Sequence, residues 1–149
     1  MRLPKNAWRA EEMRFPVSLN AVVAHRWHCD HFGHLNARHY AAAFDDAIFI
    51  FWSQAGVEVP PPGQPGVIPV TAQLKIEYRS EVTAGEVLAI SGQPARIGGK
   101  SVTLALTMQE AATGRTVATC EVVEVFFDAL ARQSVPVPDP VRVALQGAG

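Results

Sequence analysis

The chain has 149 residues and a hydrophobic content of 48%, which predicts one domain built on a single core. Lys and Arg number 13, Asp and Glu 14, and the net charge is −1, so no broad basic face for nucleic acid is indicated. Two cysteines exclude a disulfide framework, and there is neither a secretory signal nor an apolar stretch long enough to span a bilayer, so we expect a cytoplasmic protein that does not enter the membrane.

The first half of the chain predicts one strand and one long helix. After an N-terminal arm of residues 1–16, the β-branched and apolar residues 17–27 are typical of a strand. Asn36 is a typical helix cap, and apolar residues at three- and four-residue spacing beyond it predict a helix of roughly twenty residues that stops at Gly56. Further apolar residues around this helix predict that most of its sides are buried, by the sheet and, in an oligomer, by another subunit.

The second half of the chain predicts a meander of strands. The proline-rich segment 60–66 is incompatible with a helix or a central strand and indicates a loop. Four strand-like segments follow, at residues 67–78, 86–97, 101–110 and 116–127, with glycines at turn-like positions between them. From Ser134 three prolines predict an irregular tail up to residues 141–145. We therefore expect a core at about 17–128 and a Pro-rich tail at 134–149, in an α+β domain whose antiparallel sheet packs on one helix.

All five histidines lie close together, between the predicted strand and the predicted helix. They are His25, His28, His31, His34 and His39. A metal site is one interpretation, but spacing of three places successive histidines on opposite faces of a strand, and Gly33 argues against a helix that would align them, so we expect no bound metal. Cys29 beside His28 is a conceivable nucleophile, although a small half-buried filler is the simpler interpretation. An acid/base site built on Asp30 is the third interpretation, with a loop-capping aspartate as its structural alternative.

Residues 27–40 read W-H-C-D-H-F-G-H-L-N-A-R-H-Y. This segment resembles the motif W-x-D-x-D-x-x-G-H-V-N-x-x-x-Y that precedes the central helix in hot-dog-fold thioesterases of the 4-hydroxybenzoyl-CoA thioesterase type. The predicted order of strand, motif, long helix, loop and meander is similar as well, over about residues 17–127. The resemblance implies a hot-dog fold, in which an antiparallel β-sheet wraps around one long α-helix. It also implies hydrolysis of an acyl-CoA to a carboxylic acid and free CoA.

The resemblance implies roles for individual residues of the motif. Asp30 falls on the family's second aspartate, the nucleophile or general base on the thioester. Ala37 falls at the helix start, where the family uses a backbone N–H to polarise the carbonyl, and Asn36 caps that start. His34 matches the family's histidine and has three open roles: to hold the loop, to line the acyl pocket or to orient water. His28 replaces the family's first aspartate, which puts the substrate in more doubt than the reaction.

Four further residues are expected to contact the substrate. Tyr40 matches an aromatic position of the family and Phe32 could face an acyl pocket, although a place in the core is the alternative for both. Lys100 lies near a basic position of the family, so Lys100 and Arg96 are expected to contact CoA phosphates, with an ordinary solvated turn as the alternative. The G-G-K-S sequence there is not a Walker phosphate loop, because Pro94 stands where that motif requires a glycine.

The resemblance implies neither a metal nor a redox cofactor. It implies a homodimer, or a homotetramer built from dimers, with sheets joined edge to edge and sites at the subunit boundary. Two other functions stay open. One is that of a hot-dog acyl thioester hydratase or dehydratase, whose D-x-N-P-x-H motif differs from this sequence in both the asparagine and the proline. The other is that of a non-catalytic acyl-CoA-binding hot-dog domain.

Overall fold

The computed structural model of the chain describes residues 13–146. In chain order its elements are β1 (Val17–Val23), α1 (Ala37–Gln54), β2 (Val67–Tyr78), β3 (Val87–Ile97), β4 (Ser101–Glu110), β5 (Thr116–Asp128), β6 (Gln133–Ser134) and α2 (Asp139–Gln146). Every strand pair is antiparallel, and the sheet order is β1-β3-β4-β5-β2, with β6 added to β5. The predicted arm, residues 1–16, falls mostly outside the described residues. No helix within residues 13–146 combines the length and the hydropathy that crossing a membrane requires.

One face of α1 supplies the centre of the core. Its buried residues follow the predicted three- and four-residue spacing and are Tyr40, Ala43, Phe44, Ala47, Ile48, Phe51 and Trp52. The ring of Trp52 packs edge-on against Phe126 of β5, with 5.4 Å between ring centroids. The opposite face exposes Asp45, Asp46 and Phe49. The expectation that most sides of the helix are buried is therefore wrong for the single chain, because two acidic residues occupy the other face.

The four strands of the meander are confirmed, with ends within one residue of those predicted. In β4 the buried residues alternate with partly exposed ones, so that Leu104 and Leu106 point into the core. β1 is shorter than predicted and ends at Val23, because the chain then enters a 3-10 turn at Arg26–His28. That turn carries the chain from the sheet to the histidine-rich loop.

The C-terminal tail is more ordered than predicted. After β6, α2 buries Val141, Ala144 and Leu145 in the core. Pro140 stands in the first turn of α2, where its missing N–H removes no helical hydrogen bond. Arg142 Nη2 donates to the carbonyl oxygen of Gly98 at 2.8 Å and so ties α2 to the β3–β4 turn. The prediction of irregular structure up to residue 141 is therefore wrong from Asp139 onward.

β2 forms one outer edge of the sheet. Within the described part of the chain it pairs with β5 alone, so one side of its 12-residue backbone faces no partner strand. Most of its residues are exposed, including the apolar Val70, Leu74 and Tyr78. A long open edge that exposes apolar residues among polar ones is a template for pairing with another chain.

Candidate active site

The histidine-rich loop closes as a tight turn in front of α1. The Asp30 N–H donates to the His34 carbonyl oxygen at 2.8 Å, and the Gly33 N–H donates to the Asp30 carbonyl oxygen at 3.0 Å. Gly33 has a φ of 81°, a left-handed conformation that glycine adopts without the strain of a Cβ. One step outward, the Asn36 N–H donates to the His28 carbonyl oxygen at 2.9 Å. The loop therefore holds Asp30 at a fixed point beside the helix start.

The Asp30 carboxylate is held by one of its two oxygens. Oδ1 accepts hydrogen bonds from the backbone N–H groups of Phe32, at 2.9 Å, and His34, at 3.3 Å. Within residues 13–146 the other oxygen, Oδ2, meets no donor, and the side chain is half-buried. The structural alternative predicted for this residue, a loop-capping aspartate, is thus present, and it leaves one oxygen available for chemistry.

His34 points to the rim of the site. Its Nε2 lies 3.2 Å from Oε2 of the largely exposed Glu81. The adjacent Leu35 N–H donates to the Val82 carbonyl oxygen at 2.8 Å, which docks the loop on the segment that follows β2. These contacts support the role of holding the loop, and since His34 also lines the cavity described below, the roles of lining the acyl pocket and orienting water stay open.

The first turn of α1 leaves one backbone amide free. Asn36 Oδ1 accepts from the Arg38 N–H at 3.2 Å, and the Asn36 carbonyl oxygen accepts from the His39 N–H at 3.0 Å. The N–H of Ala37, the first helical residue, meets no acceptor between residues 13 and 146, as expected for a helix start. Ala37 is exposed, so this donor and the positive end of the helix dipole face solvent.

Asp30 and the first residue of α1, Ala37, line one cavity of about 390 Å³. Its lining comes from the turn, the start of α1 and the end of β2 with the loop after it, and consists of Asp30, His34, Leu35, Ala37, Tyr40, Tyr78, Arg79, Ser80, Glu81 and Val82. A small carbonyl compound in this space could meet an amide donor and a carboxylate together. That pairing suits chemistry in which negative charge develops on a carbonyl oxygen.

Tyr40 forms an apolar wall of the cavity as well as part of the core. Its ring meets that of Tyr78 edge-on, with 5.0 Å between centroids. Burial, followed by the neighbouring Tyr78, raises the pKa of Tyr40, which keeps its phenol neutral. Tyr40 therefore lies in the core and also lines the cavity, and its contact with a substrate stays a prediction.

Three of the predicted substrate contacts lie away from this cavity. Phe32 is 72% exposed and its ring stacks on His31, with 4.0 Å between centroids. Arg96 and Lys100 are exposed at the β3–β4 turn. On β5, the partner of Tyr78 is Ala118 and the partner of Ser101 is Val125, which is seven residues or about 23 Å further along the strand. The basic turn and the Asp30 cavity therefore lie at opposite ends of the sheet in one chain.

The remaining histidines form an aromatic cluster beside the loop. His25 stacks on Trp27, with 4.4 Å between centroids, and His28 lies 4.3 Å from His39. Burial, then the neighbouring His28 and Arg38, lowers the pKa of His39. Nowhere in residues 13–146 do three His, Cys, Asp or Glu side chains gather closely enough to hold a metal ion.

Glu124 is a buried acidic residue that the sequence analysis missed. It lies on β5 between Val122 and Phe126 in the alternating row that faces the core, and only 1% of it is exposed. It lines a second cavity, of about 500 Å³, between the later half of α1 and the start of β2. Charged residues are rarely buried without a partner. A glutamate at an inward position of a predicted strand is therefore a signal in the sequence that could have indicated a special site.

Replacing Asn36 by alanine should lower the free energy of unfolding by about 1 kcal/mol, because the Arg38 N–H loses its acceptor. Asn36→Asp is the matched control: it keeps an oxygen at this place and adds a charge that the helix start favours, so its stability should stay near that of the parent. Urea unfolding followed by circular dichroism measures both variants. An alanine variant as stable as the parent would show that the cap contributes nothing.

Comparison with known proteins identifies the class of this chain. A model of the thioesterase-like superfamily matches residues 23–145. The chain therefore belongs to the thioesterase-like superfamily. Among curated protein sequences, none matches it significantly.

Solved structures share its architecture. SAV2348 of Staphylococcus aureus, solved in complex with CoA, is 18% identical with a TM-score of 0.78, over 91% of this chain and 85% of that one. The probable thioesterase YbaW of Escherichia coli is 20% identical with a TM-score of 0.71, over 87% and 97%. Slr0204 of Synechocystis, a 1,4-dihydroxy-2-naphthoyl-CoA thioesterase, is 12% identical with a TM-score of 0.69, over 87% and 96%.

At these identities the similarity shows the fold alone, and that fold is the hot-dog fold that the resemblance of the motif implied. The comparisons do not single out the 4-hydroxybenzoyl-CoA type, so that narrower resemblance stays a prediction.

Proposed function

We propose that this chain is a thioesterase that hydrolyses an acyl-CoA to a carboxylic acid and free CoA. The observation that supports the proposal most is that Asp30, with its free carboxylate oxygen, and Ala37, with its free N–H, line the same cavity. Membership of the thioesterase-like superfamily and a structural neighbour solved with CoA agree with it. The free Cys29 and Cys120 fit a reducing compartment such as the cytoplasm.

In the proposed reaction the thioester carbonyl oxygen accepts a hydrogen bond from the Ala37 N–H. Asp30 Oδ2 can then attack the carbonyl carbon: the C–S bond breaks, CoA leaves as a thiolate that takes up a proton, and water hydrolyses the resulting anhydride. Alternatively, Asp30 takes a proton from a water molecule whose oxygen attacks the carbonyl carbon, and the proton passes to the departing thiolate. Both routes place the developing oxyanion at the positive end of α1.

A screen of short, long, branched and aromatic acyl-CoAs with a thiol-detecting reagent tests the proposal. Release of free CoA from at least one of them, with loss in the Asp30→Asn variant, is the expected result. Hydration of crotonyl-CoA without thiol release would instead favour the hydratase function. Binding without turnover across the whole panel would favour a non-catalytic acyl-CoA-binding domain.

We further propose that two chains pair through the open edge of β2. The exposed Val70, Leu74 and Tyr78 on that strand support the pairing, as does the unpaired side of its backbone. Leu74→Arg should shift the protein from dimer or tetramer to monomer in light scattering. Val87→Arg is the matched control, because Val87 of β3 is exposed to a similar extent, 41% against 39%, and lies on another strand. A wild-type monomer would contradict the pairing.

Two copies of one strand related by a twofold axis run antiparallel, so pairing through β2 exchanges the ends of the sheet. The β3–β4 turn of one chain, with Arg96 and Lys100, would then lie at the same end as the Asp30 cavity of its partner. In such a dimer the thioester could lie in the Asp30 cavity of one chain while the CoA phosphates contact the β3–β4 turn of the other. The large distance between that turn and the cavity within one chain agrees with this arrangement.

Reversing charge at that turn, in an Arg96→Glu/Lys100→Glu variant, should raise KM for acyl-CoA about tenfold or more and leave kcat nearly unchanged, since charge-assisted contacts to phosphates are lost. The acyl thioester of N-acetylcysteamine, which carries no phosphate, is the control substrate. Its KM should not change. An equal rise with both substrates would show that the turn acts on structure and not on phosphates.

A further inference from the structure

The second cavity is mostly apolar, with a polar end. The residues that line it are Asp45, Ile48, Phe49, Trp52, Ser53, Val57, Val59, Pro69, Val70, Thr71 and Glu124. Among these described residues none is basic. Its volume of about 500 Å³ exceeds that of the Asp30 cavity, and it lies near the other end of β2.

Glu124 forms the polar end together with Thr71. The two residues are cross-strand partners in the β5–β2 ladder, and Glu124 Oε1 accepts a hydrogen bond from Thr71 Oγ1 at 2.5 Å. Burial raises the pKa of Glu124, the hydrogen bond from Thr71 and the nearby Trp52 side chain oppose that shift, and the charge of Asp45 adds to it. The carboxyl group is therefore buried with one neutral partner and no basic residue on the cavity wall.

Trp52 leaves a buried donor unpaired beside this carboxyl group. Only 3% of the residue is exposed, and its Nε1 forms no hydrogen bond of ordinary geometry although it lies near enough to Glu124 to lower that pKa. Edge-on contacts with Phe51 and Phe126, at 5.2 and 5.4 Å between centroids, hold the ring in place. Buried N–H donors are nearly always paired, so this one can serve a hydrogen-bond acceptor on a molecule that enters the cavity.

We propose that this cavity binds a neutral, largely apolar molecule that ends in a hydroxyl or carboxamide group. Such a group can accept from the Trp52 N–H and donate to Glu124 at once. An ammonium group can only donate and would leave Trp52 unpaired. A carboxylate can only accept and would face both Glu124 and Asp45. A methyl group would satisfy neither residue.

The ligand could be a free molecule or the far end of the acyl chain of the proposed substrate; the second source rests on the proposed function. In both cases the recognising chemistry is the same, an apolar body with a neutral end that both donates and accepts.

Ligand-observed NMR titration of the intact protein with a matched series tests the proposal. Phenethyl alcohol and phenylacetamide should bind about tenfold or more tightly than propylbenzene, phenylacetate and phenethylamine. Equal affinities across the series, tighter binding of the amine or the acid, or no binding of the alcohol and the amide would overturn it.

Two variants locate the binding. Trp52→Phe removes the N–H and keeps a ring, and Glu124→Met removes the carboxyl group and keeps an unbranched chain. Each should bring the affinity for phenethyl alcohol close to that for propylbenzene, while propylbenzene still binds and so reports an intact cavity. Trp27→Phe is the matched control, because Trp27 is 76% exposed and does not line the cavity, and it should leave the preference unchanged. Retention of the preference in both cavity variants would overturn the proposal.

Competition with hydrolysis distinguishes the two sources. If the cavity receives the acyl chain, phenethyl alcohol should inhibit acyl-CoA hydrolysis competitively; if it receives a free molecule, hydrolysis should continue at the same KM. The titration itself needs no turnover, so a failure to detect thioester hydrolysis would leave the binding result standing.

Discussion

Asp30→Asn is expected to lower kcat/KM for acyl-CoA hydrolysis by about 10²- to 10⁴-fold, because an amide is neither a nucleophile nor a base for this reaction. The local structure should survive the change. Asn Oδ1 can accept the same two backbone hydrogen bonds, from the N–H groups of Phe32 and His34, that the carboxylate accepts now. Steady-state thiol release measures the effect, and the midpoint of thermal unfolding should stay close to that of the parent.

Asp30→Ala is the complementary variant, since it removes the turn acceptor as well as the charge. It should lose activity to the same extent and also lose stability, so the pair separates the chemical role from the structural one. An asparagine variant with parental activity would contradict the proposed role of Asp30.

The second large effect is expected at Ala37. Ala37→Pro removes the one backbone donor that is proposed to meet the thioester carbonyl, and kcat should fall by about 10²- to 10³-fold. Proline is well tolerated at the first position of a helix, because its missing N–H has no helical partner there. The preceding Asn36 has φ −68° and ψ 142°, an extended conformation that a following proline favours. The helix should therefore form normally in the variant.

Ala37→Gly is the control, because it keeps the N–H and adds backbone freedom instead. It should retain most of the activity. If the proline variant folds, as judged by circular dichroism, and still hydrolyses acyl-CoA at the parental rate, the oxyanion is stabilised elsewhere.

Much of the fold could be predicted from the sequence, because the local preferences of the residues agree with their packing in the fold. Strand-like segments bounded by the proline-rich loop and by glycine-marked turns predicted the bounds of β2 and β4, and Asn36 caps α1 as predicted. The helix α2 in the C-terminal tail could not be predicted, because the prolines of the tail favour irregular structure while burial of Val141 and Leu145 stabilises the helix. Propensity is a weak guide wherever packing against the core decides the outcome.

The part of the candidate site whose residues are close together in the sequence could be predicted. Asp30 and Ala37 are separated by one turn and reach the same cavity. The relation of Lys100 to that cavity depends on strand order and register, which one sequence does not specify. The burial of Glu124 was not predicted, because it depends on which face of β5 packs into the core.

Pairing through the open edge of β2, as proposed, would make catalysis depend on protein concentration. If one chain binds the phosphates of the substrate while the other cleaves its thioester, a single chain lacks the phosphate contacts that its partner would supply. Specific activity should then decline on dilution, and saturating acyl-CoA should oppose that decline, because a ligand that bridges two chains shifts their association equilibrium toward the assembled state.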